Sequence, residues 1–183
     1  MHAGRVNRII LKLTIDIQAK DILQSGADII VFSAHPSLLA GSGVSGIVHK
    51  AAGPELELFA KSQGPIAPGK SVITPAFNLP AKYIIHTVCP RYIYGTPEEK
   101  NLLAMSYRSA LSLKRQAPNA SSIAFVSLGT GVYRWPLKVA AKIAVAELNK
   151  SEFDKTLMCV ADEITRGTYQ ESYDAFRILR TSC

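Results

Sequence analysis

Short apolar runs alternate with amphipathic segments along most of this 183-residue chain. Continuous apolar runs are typical of strands that are covered on both faces, and the segments between them carry apolar residues at helical spacing. The predicted strands cover residues 29–32, 72–75, 83–88, 122–128 and 156–160, and the predicted helices cover residues 44–52, 54–62, 97–115, 136–149 and 169–179. This alternation predicts an α/β fold.

The first predicted strand has a different pattern. Ile9, Leu11, Leu13 and Ile15 alternate with other residues, mostly polar, so one face of this strand is apolar. A strand that is covered on one face suits the edge of a sheet. We find no internal repeat, and 48% hydrophobic residues are enough for one core. We therefore predict a single domain over residues 1–183.

Composition excludes several classes of protein. Cys89, Cys159 and Cys183 are too few and too scattered for a disulfide framework or a zinc site, so we predict no metal and no cofactor. No apolar run approaches the roughly 20 residues that span a bilayer, and the first residues do not resemble a signal peptide. We expect a cytoplasmic protein, or a nuclear one in a eukaryote. The net charge of +7 favours anionic partners without indicating a nucleic-acid groove.

The junction after residues 29–32 suits an anion. Ala40 to Gly43 joins this strand to a helix that begins near Val44. Backbone N–H groups are unpaired at a helix N-terminus, and the helix dipole favours negative charge there. Glycine lets the backbone approach a ligand and adopt positive φ. An ordinary turn between a strand and a helix has a similar composition, so this pattern alone leaves both interpretations open.

Three stretches resemble motifs of the macro domain family. Residues 31–53 are similar, without gaps, to the family's V-N-A-A-N-x-x-L-x-G-G-G-G-V-D-G-x-I-H-x-A-A-G loop. Residues 122–136 resemble S-I-A-F-P-x-I-S-T-G-x-Y-G-Y-P, and residues 78–88 resemble L-P-A-K-Y-V-I-H-T-V. The resemblance implies a three-layer α/β/α sandwich with a mixed, mostly parallel six-stranded sheet. It also implies recognition of ADP-ribose.

The resemblance assigns residues to each part of that ligand. By spacing, Asp21 matches the aspartate that reads adenine, although Asp16 and Ile17 offer a competing Asp-Ile pair and Asp21 could simply cap a turn. Main-chain N–H groups of two loops are expected to hold the pyrophosphate, with Tyr133 over the distal ribose unless it is a core residue. The implied ligand-binding residues are Asp21, Ile22, Phe32, Ala40, Gly41, Ser42, Gly43, Val44, Ser45, Gly46, Ile47, Ser127, Gly129, Thr130, Gly131, Val132 and Tyr133.

Within that set, backbone geometry is expected to require Gly43, Gly46 and Gly131 to be glycine. The family commonly stacks an aromatic side chain on adenine in a C-terminal segment. This chain has Ala161 at that position, so Tyr169 or Tyr173 would have to replace it.

The chain departs from the family pattern where hydrolytic members carry polar residues. Phe32 cannot form side-chain hydrogen bonds, and Ser45 is a poor general base. His35 is the candidate catalytic base, because imidazole titrates near neutral pH. It could equally hydrogen-bond the ribose or face the core. We interpret His49 and His86 as structural.

Three functions remain open, in this order. The first is an ADP-ribose reader, for the free nucleotide or an ADP-ribosylated protein, with little or no turnover. The second is a hydrolase acting on ADP-ribosyl groups or ADP-ribose 1''-phosphate. The third is a diverged domain that binds RNA or a protein, for which the basic charge is the only positive evidence.

Overall fold

The structure, a computed structural model, describes residues 14–181. Six strands form one sheet in the order β1-β6-β5-β2-β4-β3, and β3 alone runs antiparallel to its neighbour. The strands are β1 (Ile15–Ala19), β2 (Ile29–Ser33), β3 (Ser71–Pro75), β4 (Tyr83–Thr87), β5 (Ser122–Val126) and β6 (Lys155–Val160). The helices are α1 (Val44–Ala52), α2 (Pro54–Gln63), α3 (Pro97–Ser112), α4 (Leu137–Leu148) and α5 (Glu163–Thr181).

The sheet lies between two helical layers. In β2, Ile29 and Val31 pack into the core shared with α3, α4 and α5, whereas Ile30 and Phe32 pack into the core shared with α1 and α2. Side chains alternate between the faces of a strand, so a strand covered on both faces must be apolar throughout. The predicted three-layer sandwich with a mixed, mostly parallel sheet is confirmed.

The first predicted strand is only partly covered by the described residues. Strand β1 lies at one edge of the sheet, as expected, and pairs in parallel with β6. Its described residues begin at Ile15 and end at Ala19. Ile9, Leu11 and Leu13 lie outside the described residues, as does Cys183.

Several helix boundaries differ from the predicted ones. Helix α3 ends at Ser112 and continues as a 3-10 turn to Gln116, and Pro136 is the N-cap of α4 rather than its first residue. Helix α5 begins at Glu163, six residues before the predicted start at Tyr169. Asp162 Oδ1 accepts the Thr165 N–H at 2.7 Å, which caps this early start. No helix within residues 14–181 is long and apolar enough to cross a bilayer.

The connections diverge at the centre of the sheet. Strands β2 and β5 are neighbours, with Val31 opposite Phe125. The chain leaves β2 through α1 and α2 towards β3 at one edge, and it leaves β5 through α4 towards β6 on the opposite side. Because these helices lie on different faces, the carboxyl ends of the two strands form the kind of switch point at which open α/β sheets bind ligands in a crevice.

Candidate ligand site between two loops

Two loops border this crevice. We call residues 34–43, between β2 and α1, the first loop, and residues 127–136, between β5 and α4, the second loop. Within residues 14–181, three non-glycine residues have positive φ, and two of them lie in these loops: Leu38 at 61° and Arg134 at 58°. Such backbone strain persists only where surrounding contacts enforce it, and it concentrates at functional sites.

The first loop ends at an open helix N-terminus. Gly43 is the N-cap of α1, with φ of 65°, and no side chain caps the helix. The N–H groups of the first turn therefore lack a side-chain acceptor, and they lie beside the exposed residues Ala40 to Val44. This arrangement suits an anionic ligand.

Ser45 and Gly46 hold the first loop against α1. The Gly41 N–H donates to Ser45 Oγ at 3.3 Å, and Ser45 is only 5% exposed. A Cβ on Gly46 would lie 2.4 Å from the Gly41 carbonyl oxygen, so the loop approaches the helix too closely for any side chain there. The predicted requirement for glycine at position 46 is confirmed. Ser45, however, lies under the loop, and its hydroxyl oxygen already accepts the Gly41 N–H.

Trp135 shapes the second loop. Its Nε1–H donates to the Pro90 carbonyl at 2.9 Å, and its backbone N–H donates to the Gly129 carbonyl at 3.1 Å. Gly129 has φ of 82°, and a Cβ there would lie 2.7 Å from Trp135 Cδ1. Gly131 has neither positive φ nor a neighbour within 4 Å of an added Cβ. Neither backbone conformation nor protein packing therefore requires glycine at position 131, whereas both require it at position 129.

Buried hydroxyl groups support the second loop. Ser127 Oγ hydrogen-bonds the Tyr169 hydroxyl at 2.7 Å, and Thr130 Oγ1 donates to the Ser127 carbonyl at 3.0 Å. The Leu128 N–H donates to the hydroxyl of Tyr107, which also contacts that of Tyr169. Burial raises the pKa of Tyr169 to about 12, so this network stays neutral at physiological pH.

The same burial corrects the prediction of adenine stacking. Tyr169 is fully buried and Tyr173 nearly so. Neither ring has a face open to a ligand. Ile164, in the first turn of α5, is instead the exposed apolar residue close to the carboxyl end of β6.

Phe32 points away from the crevice. It is fully buried on the α1 and α2 side, with its ring centroid 4.9 Å from that of His86 and 6.2 Å from that of His49. Its side chain cannot contact a ligand, which corrects its place among the ligand-binding residues. The cause is side-chain alternation in β2, where Val31 takes the other face.

His49 and His86 are core residues, in keeping with their predicted structural role. His86 Nε2 lies 3.2 Å from Thr74 Oγ1. Within residues 14–181, His86 Nδ1 and both ring nitrogens of His49 are buried without a hydrogen-bond partner. Burial lowers the pKa of His86 to about 3 and also lowers that of His49.

His35 is exposed, but its basic nitrogen is occupied. His35 Nδ1 accepts the Ser37 N–H at 3.2 Å and lies 2.7 Å from Ser37 Oγ. From these bonds we assign the proton of the neutral ring to Nε2. The nitrogen that faces outward is then a hydrogen-bond donor. This geometry does not favour His35 as a general base.

Asp21 lies at the correct end of the sheet for the adenine contact. It follows β1 and caps the 3-10 turn Ile22–Gln24, where its Oδ1 accepts the Leu23 N–H at 3.0 Å. The side chain is exposed, so the carboxylate keeps further acceptor capacity. Ile22 is buried, and only its backbone can meet a ligand. Asp16 lies within β1, where it accepts from Gln18 Nε2 at 2.7 Å.

Arg91, Tyr107 and Trp135 also shape the site, and the sequence analysis did not indicate them, whereas it did indicate Tyr133. Tyr133 is half-buried, with the Arg91 guanidinium 5.9 Å from its ring centroid. Arg91, Tyr107 and Trp135 come from three separate elements, and no spacing along the chain brings them together. Val44, Ile47 and Val132 are exposed apolar residues at the rim. No group of three metal-ligating side chains occurs in the part of the chain that the structure describes.

Comparisons with known proteins agree with this geometry. The Macro domain family profile matches residues 31–144. The chain is 44% identical over 128 residues to a macro domain-containing protein of Lactiplantibacillus plantarum, covering 70% of this chain and 74% of that protein. It is 41% identical over 159 residues to the O-acetyl-ADP-ribose deacetylase of Klebsiella pneumoniae, covering 82% and 90%.

Solved structures give the same result. The Oceanobacillus iheyensis macrodomain with ADP superposes with a TM-score of 0.80 at 35% identity, covering 90% of this chain and 91% of that one. The Trypanosoma brucei macrodomain in complex with ADP-ribose superposes with a TM-score of 0.77 at 30% identity, covering 86% and 68%.

Proposed function

The chain belongs to the macro domain family, and on that premise we propose that it binds ADP-ribose, free or attached to a protein, with little or no turnover. One observation carries the proposal: the uncapped N-terminus of α1 and the second loop border one crevice, at the point where the connections of β2 and β5 diverge. Related macrodomains have been solved with ADP and with ADP-ribose.

Main-chain groups would hold the pyrophosphate. The first-turn N–H groups of α1 are free of side-chain caps, and the exposed residues Gly131 and Val132 lie on the other side of the crevice. Oriented amides and a helix dipole complement a doubly negative group without a dedicated arginine. The side chains of Phe32 and Ser45 take no part, because one packs in the core and the other bonds the loop.

Asp21 would read adenine. Its exposed carboxylate can accept from the exocyclic amine, while the Ile22 backbone N–H meets a ring nitrogen. By isothermal calorimetry, Asp21→Ala should weaken ADP-ribose binding by about 1 to 3 kcal/mol, the cost of an unpaired polar group. Asp16→Ala is the matched control and should leave affinity unchanged. Equal affinity of wild type and Asp21→Ala would contradict the assignment.

A second candidate is ester hydrolysis, which the deacetylase names of several relatives favour. His35 would then have to release Nδ1 from Ser37 to act as a base. We expect acetate release from O-acetyl-ADP-ribose within about tenfold of the uncatalysed rate. Rapid release that is lost in His35→Ala, with ADP-ribose binding retained, would establish the hydrolase. Absence of ADP-ribose binding would favour the third candidate, a diverged domain for RNA or a protein.

A further inference from the structure

Two exposed residues stand beside the second loop. Ile93 and Tyr94, in the connection from β4 to α3, are 62% and 84% exposed. Val132 in the second loop is 65% exposed. Large apolar side chains grouped together on a surface are a mark of binding sites. We call residues Arg91, Ile93, Tyr94, Val132 and Arg134 the lip.

The backbone of the lip is held in place. Glu99 accepts the N–H groups of three successive residues, at 3.4 Å from Ile93, 3.2 Å from Tyr94 and 2.7 Å from Gly95. Thr96 in turn caps α3 by accepting the Glu99 N–H at 3.3 Å. A carboxylate that accepts several backbone N–H groups fixes the path of a loop. Ile93 and Tyr94 are therefore presented to solvent by an ordered backbone, which lowers the entropic cost of binding.

The lip is continuous with the candidate ligand site. The Tyr92 N–H donates to the Tyr133 carbonyl at 3.0 Å, and the Tyr92 ring lies 5.2 Å from that of Trp135. The Arg91 guanidinium lies over the Tyr133 ring. Tyr133 is the residue that would cover the distal ribose. Whatever is attached to that ribose must leave the crevice next to the lip.

We propose that the lip binds an acidic segment of the polypeptide that carries the ADP-ribosyl group. This inference rests on the proposed function and names its partner. Tyrosine, arginine and large aliphatic side chains dominate the energetics of protein interfaces. Arg91 and Arg134 are the charged residues of the lip, and both are basic and exposed, so acidic flanking residues fit best.

The test uses three probes and calorimetry: free ADP-ribose, a peptide with one ADP-ribosyl group flanked by glutamates, and the same peptide flanked by lysines. The wild type should bind the acidic peptide about five- to tenfold more tightly than free ADP-ribose, and the basic peptide no more tightly. The double variant Ile93→Asp, Tyr94→Asp should bind the acidic peptide with the affinity of free ADP-ribose. Its affinity for free ADP-ribose should equal that of the wild type.

Leu58→Asp is the matched control, because Leu58 is 72% exposed on α2, away from the lip. It should change no affinity. Equal wild-type affinities for the acidic peptide and free ADP-ribose would overturn the proposal, as would equal losses for both ligands in the double variant. If free ADP-ribose does not bind the wild type, the proposed function itself fails.

Discussion

The two loops of the crevice are held in place by different kinds of side-chain contact. Beneath the first loop lie the packed rings of Phe32, His49 and His86, and three of their nitrogens have no hydrogen-bond partner within the described chain. Beneath the second loop, the hydroxyls of Tyr107, Tyr169 and Ser127 hydrogen-bond to one another and to the backbone. The comparison teaches that a loop beside a binding site can be held in place either by close packing or by a polar network.

The largest expected loss of stability comes from a substitution in the second loop. Gly129→Ala places a Cβ at positive φ and 2.7 Å from buried Trp135, so it should destabilise the protein by about 2 to 4 kcal/mol in urea denaturation. Gly131→Ala is the control and should stay within about 0.5 kcal/mol. Equal effects of the two variants would show that Trp135 does not fix this loop.

For the first loop, the corresponding change is Gly46→Ala in the adjoining helix α1. The new Cβ would meet the Gly41 carbonyl oxygen at 2.4 Å and push the loop away from α1. Better helix propensity offsets part of this strain, so we expect a net loss of about 1 to 2 kcal/mol. Gly41→Ala, whose Cβ would lie 3.6 Å from Ser45 Oγ, should cost clearly less. A neutral Gly46→Ala would mean that packing does not set this loop.

Lowering the pH should destabilise the support of the first loop and not that of the second, because only the first contains histidines. The folded protein holds the pKa of His86 at about 3, so below pH 6.5 the unfolded chain binds a proton that the folded one does not. Stability should therefore fall as pH decreases from about 6.5 towards 3. For His86 the loss is about 1.5 kcal/mol between pH 6.5 and 5.

Urea denaturation of the wild type and His86→Leu at these two pH values checks this prediction. Few carboxylates titrate in this range, so the variant should show the smaller pH dependence. A dependence as steep as that of the wild type would assign the effect to other groups.

The smallest expected loss of stability comes from a substitution in the hydroxyl network beneath the second loop. Tyr169→Phe removes one member and leaves Ser127 Oγ short of a partner, which should cost about 1 kcal/mol of stability. Tyr83→Phe removes an exposed hydrogen bond to Asn119 at the other end of the sheet and should cost less. If Tyr169→Phe is neutral, the second loop depends on Trp135 rather than on hydroxyls.

The sequence predicted elements well where pattern alone decides them. Helix α1 has the predicted bounds, because its apolar residues recur at helical spacing between Gly43 and Gly53. Helix α5 was placed too late, since Thr165, Gly167 and Thr168 are weak helix formers and Asp162 compensates as a cap.

The directions of side chains and the backbone conformation within the site could not be predicted from the sequence. Strand β2 is apolar at every position from Ile29 to Phe32, so the sequence does not tell which face Phe32 takes. The same limit applied to Gly129 and Gly131, because a glycine does not reveal its own φ. The bond between His35 and Ser37 is a local contact of a loop that no periodicity describes.

Trp135 is the only tryptophan in the chain, and it lies buried against Gly129 with its indole N–H bonded to Pro90. The tryptophan fluorescence of this protein therefore originates at a single position, inside one wall of the crevice. The wavelength and the quenching of the tryptophan emission therefore report on that wall of the crevice alone. We expect a nucleotide that enters the crevice to change this emission, so that binding can be followed in real time without an added dye.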